Sequence, residues 1–151
     1  MKTGVIADTH GLLRPEVLSA FAGVDHILHA GDVGSPAILA ELRKLAPVTA
    51  IRGNIDRSGE CAALPSEEYI TLGGVNLYML HDVHTLTLDP AAADVQAVIF
   101  GHSHKPLIEN RKGVLFFNPG AAGLRRFSLP ITVGLIHIVD GVMSPEHFSL
   151  L

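Results

Sequence analysis

Apolar residues in this chain come in short runs, and most runs end in a polar cluster. Thr3-Gly4-Val5-Ile6-Ala7 reads as a buried strand and runs into Asp8-Thr9-His10-Gly11. Residues 24–30 contain a second strand, which ends in His29-Ala30-Gly31-Asp32. Val48-Thr49-Ala50-Ile51 is a third, followed by Arg52-Gly53-Asn54-Ile55-Asp56. Helical segments lie between these strands. Arg14-Pro15 opens one, with Val17, Leu18 and Phe21 as its apolar face, and Ser35-Pro36 caps and opens another that runs to about Leu45. The order strand, polar loop, helix predicts a βαβαβ unit with a parallel sheet. Ligands of such sheets bind beyond the carboxyl ends of the strands, where Asp8, His10, Asp32 and Asn54 all fall.

The second half has a different rhythm. Residues 69–72, the Gly73-Gly74 turn and residues 75–80 predict a hairpin whose second strand ends in His81-Asp82-Val83-His84. Asp89-Pro90-Ala91-Ala92-Ala93 has room for one helical turn. The apolar run Ala97-Val98-Ile99-Phe100 then meets Gly101-His102-Ser103-His104, which puts two imidazoles two residues apart at a strand end. Residues 108–111 and 114–117 predict a hairpin across Lys112-Gly113, and Asn118-Pro119-Gly120 is a turn. Residues 131–139 and 142–150 predict a last hairpin across Asp140-Gly141.

Composition narrows the picture. A chain of 151 residues is expected to form one domain, residues 1–151. With 48% hydrophobic and 17% charged residues it suits a sheet covered on both faces and excludes disorder. A net charge of −4 excludes a global basic field, so no dedicated nucleic-acid binding is expected. No apolar run reaches the length of a membrane span, and no signal peptide is expected. The single Cys61 has no partner for an internal disulfide, so a cytoplasmic location is expected. A homo-oligomer is compatible with the sequence. Nine histidines are many for this length, which draws attention to the strand ends.

Five strand ends supply Asp8, His10, Asp32, Asn54, His81, His102 and His104. These offer oxygen and nitrogen donors and no thiolate. They are too many for one catalytic ion with an open position, and they suit two divalent ions that share a carboxylate. Asp32, on a central strand, is the candidate bridge. Mixed imidazole and carboxylate donors suit manganese, iron, nickel, cobalt or zinc better than calcium or magnesium. Two ions roughly 3.5–4 Å apart can hold a phosphoryl group, generate hydroxide and stabilise the leaving oxygen.

The order of Asp8-Thr9-His10, Gly31-Asp32, Gly53-Asn54, His81 and Gly101-His102-Ser103-His104 resembles the calcineurin-like metallophosphoesterase superfamily. The short length, Asn54-Ile55-Asp56, His81-Asp82 and the late Asn118-Pro119-Gly120 are similar to its small prokaryotic phosphodiesterase branch. That resemblance implies a four-layer αββα sandwich and a binuclear phosphoesterase acting on a small phosphoester, with manganese the leading ion. It implies Asp8, His10, Asp32 and His104 on one ion, and Asp32, Asn54, His81 and His102 on the other. Asp32, Asn54 and His81 are the implied catalytic residues, and Arg125 and Arg126 are candidates for substrate contact. The same fold also serves as a metal-poor retromer subunit, so a non-catalytic interaction scaffold is the alternative.

Two positions depart from the family pattern. Much of the superfamily has His directly after the metal-binding Asn, and here Ile55 stands there. Proton delivery to the leaving oxygen then falls to His84, His29, Asp56 or a metal-bound water. Asp82 replaces the Gly that often follows the His81 position. His26, His137 and His147 are read as ordinary strand or surface histidines. Arg52 is read as a rim or ion-pair residue, and Cys61 as incidental.

Overall fold

Two five-stranded sheets stack face to face, and the described residues are 1–151 of a computed structural model. In chain order the elements are β1 (Lys2–Ile6), α1 (Pro15–Ala20), β2 (His26–His29), α2 (Pro36–Arg43), β3 (Val48–Ala50) and α3 (Gly59–Ala62). Then come β4 (Glu67–Leu72), β5 (Val75–Leu80), a single 3-10 turn (Val83–Thr85) and β6 (Ala97–Ile99). The chain closes with β7 (Leu107–Arg111), β8 (Val114–Asn118), β9 (Thr132–Val139) and β10 (Val142–Ser149).

The first sheet runs β10-β9-β1-β2-β3. Its β1–β2 and β2–β3 pairs are parallel, as the strand–helix alternation predicts. The C-terminal hairpin forms as expected and returns to this sheet, with β9 antiparallel to β1. The second sheet runs β4-β5-β6-β8-β7, with β5, β6 and β8 mutually parallel and an antiparallel hairpin strand at each edge.

Alternation along β1 explains the layering. Successive side chains of a strand point to opposite faces. Ile6 joins a core of Val17, Phe21, Ile38 and Leu42 under the helices. Its neighbours Val5 and Ala7 join Leu77, Met79, Ile99 and Phe117 between the sheets. Tyr78, Leu80, Val98, Phe100 and Phe116 point away from that interface and form a third cluster. Each large side chain buried this way is worth about 1.5–3 kcal/mol.

The architecture is the αββα sandwich, with a thin fourth layer. Val83, Leu86 and Leu88, on the 3-10 turn and the segment after it, cover the outer face of the second sheet where the helices cover the first. At 89–95 the chain makes one turn, closed by Ala93 N–H on Asp89 O (3.0 Å) and Val95 N–H on Pro90 O (2.8 Å). Helix α2 begins where Ser35 Oγ accepts from Ala37 N–H at 3.3 Å, and it stops at Arg43. Pro47 follows closely, and a proline disfavours helical geometry in the residue before it. No helix is long and apolar enough to cross a membrane.

Candidate metal centre

All seven predicted ligands leave the carboxyl ends of β1, β2, β3, β5 and β6. Five of them hold φ in the left-handed region: Asp8 (53°), His10 (47°), Asp32 (55°), His102 (72°) and His104 (64°). Such a φ is disfavoured for any residue with a Cβ, by about 1–2 kcal/mol. Asp and His tolerate it better than most. The turns stop each strand abruptly and aim Asp8 and His10, and then His102 and His104, into one cleft. Backbone strain concentrated on chemically active side chains points to function.

The two carboxylates are built alike. Asp8 Oδ2 accepts from the backbone N–H of His102 at 3.0 Å, and Asp32 Oδ1 accepts from Ile55 N–H at 3.0 Å. The remaining oxygens face the imidazoles. Asp32 Oδ2 lies 3.3 Å from Nε2 of both His10 and His81. Asp8 Oδ1 lies 3.6 Å from His10 Nε2, 3.7 Å from His81 Nε2 and 3.6 Å from His104 Nε2. His102 Nδ1 is 3.1 Å from Asn54 Oδ1, and its ring meets His81 edge-on at 5.2 Å. Gly53 has no room for a side chain, because a Cβ there would overlap the Asp32 carboxylate.

These residues fit divalent ions. Asp8 Oδ1, His10 Nε2, His81 Nε2 and His104 Nδ1 are buried without a hydrogen-bond partner. An unsatisfied buried polar atom typically costs about 1–3 kcal/mol, so the first three of these, together in one cleft, call for a shared positive partner. Two groups of three donors lie within 4.8 Å of one another: Asp8, His10 and His104, and Asp8, Asp32 and His81. The Ala30 carbonyl sits 2.7 Å from His81 Nδ1. A carbonyl only accepts, so Nδ1 carries the proton and Nε2 offers its lone pair to the cleft.

Electrostatics follow from these contacts. The Asp8 carboxylate beside His10 raises that imidazole's pKa against the opposing pull of burial. Burial disfavours a charged His81, but Asp32 and the Ala30 carbonyl outweigh it and raise its pKa. Burial likewise works against ionised Asp32, and His81 with the Ile55 N–H overcomes it, so the carboxyl lies below its usual range. Burial pushes His104 down.

Residues that the sequence offered as proton donors or as a turn instead form a supporting ring. Asp56, 5% exposed, accepts from Val33 N–H (3.1 Å), Gly34 N–H (3.0 Å) and Gly53 N–H (2.9 Å), and so locks the Asp32 loop to the Asn54 loop. His29 is fully buried. Its Nδ1 accepts from Gly31 N–H at 3.2 Å, so its Nε2–H faces Thr9 Oγ1 at 3.1 Å, and Thr9 donates to Val33 O at 2.7 Å. Burial holds the His29 pKa at about 4. Neither Asp56 nor His29 is free to protonate a leaving group. Asn118 donates to Gly101 O and Ser103 Oγ, both at 3.1 Å, and fixes the turn that carries His102 and His104. Polar residues within two or three positions of a ligand were the available signal for Asp56 and His29.

The remaining candidates lie around the rim. His84 is exposed and pairs with Asp82 at 3.1 Å, and Asp82 reaches within 3.9 Å of His102 Nε2. Ile55 is 39% exposed, so no tight apolar pocket holds it. Arg52 donates to Leu64 O at 2.7 Å and borders a cavity of about 440 Å³ shared with Asn54, Glu67, His81, Asp82 and His102. Arg125 and Arg126 line a second recess of about 250 Å³ with Leu124, His10 and His104. His147 is more than a surface residue: it stacks on Phe117 at 5.1 Å and lies 2.7 Å from Asn118 O.

Comparison with known proteins gives the family and the fold. Residues 1–141 match the calcineurin-like phosphoesterase superfamily domain. A probable metallophosphoesterase of Methanothermobacter thermautotrophicus is 34% identical over 142 residues, covering 86% of this chain and 82% of the relative. Phosphodiesterase MJ0936 of Methanocaldococcus jannaschii is 27% identical over 157 residues, covering 90% and 92%. The crystal structure of Vps29 from Entamoeba histolytica complexed with zinc superposes with a TM-score of 0.75 at 24% identity, over 100% of both chains.

Proposed function

Since the chain belongs to the calcineurin-like phosphoesterase superfamily and is a metal-dependent phosphoesterase, we propose that it hydrolyses phosphodiesters at a two-ion centre. Asp8, His10, Asp32 and His104 would hold one ion, and Asp32, Asn54, His81 and His102 the other. The observation that carries this reading is the convergence of three buried, unpartnered atoms, Asp8 Oδ1, His10 Nε2 and His81 Nε2, on one cleft. Two divalent ions there would activate a water for attack on phosphorus and neutralise charge on the phosphoryl and leaving oxygens. Manganese leads the candidate ions, with iron, nickel, cobalt or zinc as alternatives, because the donors are imidazole and carboxylate. The diester preference draws on the phosphodiesterase relative.

Each residue has a task. Asp32 Oδ2, equidistant from His10 and His81, is placed to serve both halves of the centre. His81 is held by Ala30 so that its Nε2 stays a donor to the cleft. Asn54 adds a neutral oxygen next to His102. Arg125 and Arg126 supply positive charge for the substrate phosphate beside His10 and His104. Ile55 has no proton to give, so substrates with good leaving groups are favoured. A small substrate and a cytoplasmic setting complete the proposal.

The alternative is a non-catalytic scaffold of the same fold, to which the likeness to Vps29 lends weight. Because that protein was solved with zinc, metal binding alone does not separate the two readings; turnover does. Ions per chain and hydrolysis of a bis-aryl phosphodiester should be measured before and after chelation. Two ions per chain and a rate abolished by the chelator and restored by manganese are expected. No turnover with any of the five metals would favour the scaffold.

A further inference from the structure

The turn that follows Gly123 is anchored at its base and bare at its tip. Ala122 N–H donates to Ala7 O at 3.1 Å, and Gly123 N–H donates to Asp8 O at 3.3 Å. Arg14 Nε donates to Gly123 O at 3.0 Å. Gly123 lies so close to Thr9 that a Cβ would overlap the Thr9 carbonyl. The base of the turn is therefore fastened to the strand end that supplies Asp8 and His10. Its tip is Leu124-Arg125-Arg126-Phe127, closed by Leu129 N–H on Arg126 O at 3.2 Å.

Phe127 is 89% exposed, Leu124 is 63% exposed, and Phe127 holds φ at 54°. For a bulky side chain that backbone conformation is an outlier. Phe127 thus sits on a strained backbone and gains no burial in return, so neither local conformation nor packing accounts for the ring. Leu124 and both arginines face the recess of about 250 Å³ that also exposes His10 and His104.

We propose that the 124–127 turn recognises one arm of the substrate. Arg125 and Arg126 take the phosphate charge, and Leu124 with Phe127 takes a planar heteroaromatic ring on one ester arm, so that the substrate class is a small nucleoside phosphodiester. This rests on the phosphodiesterase reading. Aromatic side chains stack on the face of any base, and adjacent guanidinium groups suit phosphate. Two arginines in a chain of net charge −4 match one phosphate, whereas a polynucleotide or an anionic bilayer calls for a longer cationic track.

The chain has no tryptophan, so Phe127→Trp creates a single fluorescent reporter at the tip. The manganese-loaded variant should be titrated with adenosine 5′-monophosphate, with ribose 5-phosphate, and with vesicles of phosphatidylcholine and phosphatidylglycerol. A saturable quench by the nucleotide and none by the sugar phosphate is expected. In parallel, Phe127→Ala should lower the kcat/KM ratio of a nucleoside aryl phosphodiester to a methyl aryl phosphodiester about tenfold. An equal response to both phosphates, a blue shift confined to vesicles, or an unchanged ratio overturns the proposal. Turnover without a nucleotide quench removes the recognition role and leaves the phosphodiesterase reading standing. A quench without turnover of any diester does the reverse.

Discussion

Asp8 accepts a 3.0 Å hydrogen bond from the backbone N–H of His102, a residue 94 positions later and on the other sheet. One carboxylate thus joins the two sheets at the cleft and also presents Oδ1 to three imidazoles. The two tasks separate by mutation. Asp8→Asn keeps an acceptor for the His102 N–H and loses the charge. Asp8→Ala loses both. In metal-free protein the alanine variant should be less stable than the asparagine variant by about 1–3 kcal/mol in urea unfolding. Both should lose most diesterase activity, and equal stabilities would refute the joining role.

Asp32→Asn should lower activity more than any other single ligand change. It removes a formal charge from the oxygen 3.3 Å from both His10 and His81, so both halves of the centre weaken together. Bound metal per chain should fall at both positions. Retention of two ions and most of the rate would show that Asp32 is not shared.

Asp56→Ala should destabilise the fold by about 1–3 kcal/mol or more, because it strips the acceptor from Val33, Gly34 and Gly53 together. The Asp32 and Asn54 loops would then move independently. Metal affinity should drop although Asp56 is not proposed as a ligand, which isothermal titration with manganese would detect. An unchanged affinity would reduce Asp56 to a stability role.

His29 predicts a pH dependence with a definite sign. Burial lowers its pKa to about 4 in the folded chain, against about 6.5 when unfolded. Between those values the unfolded chain binds the extra proton, so stability rises with pH. It is fully present above pH 6.5 and is lost as pH falls toward 4, by at most about 3 kcal/mol. His29→Asn should flatten that part of the metal-free stability profile between pH 7 and 4.5. A profile with the same slope in both proteins would contradict the assignment.

Ile55→His tests proton delivery. With 39% of Ile55 exposed, an imidazole can be placed there without displacing core atoms. General-acid help is worth about 10²–10⁴-fold, chiefly for leaving groups of high pKa. The unmodified protein should show a steep dependence of rate on leaving-group pKa, and Ile55→His should flatten it. A flat dependence in the unmodified protein would mean that another group, with His84 the first to mutate, already supplies the proton.

The chain by itself determined which residues could carry chemistry. Short apolar runs that end in Asp, Asn or His, most of them with a glycine close by, are local signals, and parallel-sheet logic sends every such end to one edge. The βαβαβ half, the three hairpins and the metal-ligand candidates were legible for that reason. What lies between distant segments was not. That β9 pairs with β1, with Thr3 opposite Ile136, depends on which edge a finished hairpin meets. The thin fourth layer arose because 82–95 forms no helix longer than a turn and covers the outer sheet with only a few larger apolar side chains, Val83, Leu86, Leu88 and Val95. The left-handed turns at Asp8, His10, Asp32, His102 and His104 exist only because the surrounding packing holds them there. Asp56 and His29 read in the sequence as possible proton donors, and only the fold, by bringing Gly53 to one and Thr9 to the other, gives them a supporting role. Residue type and strand-end position are properties of neighbours along the chain. Distance, burial and an unmet hydrogen bond are properties of neighbours in space, and only the folded arrangement decides them.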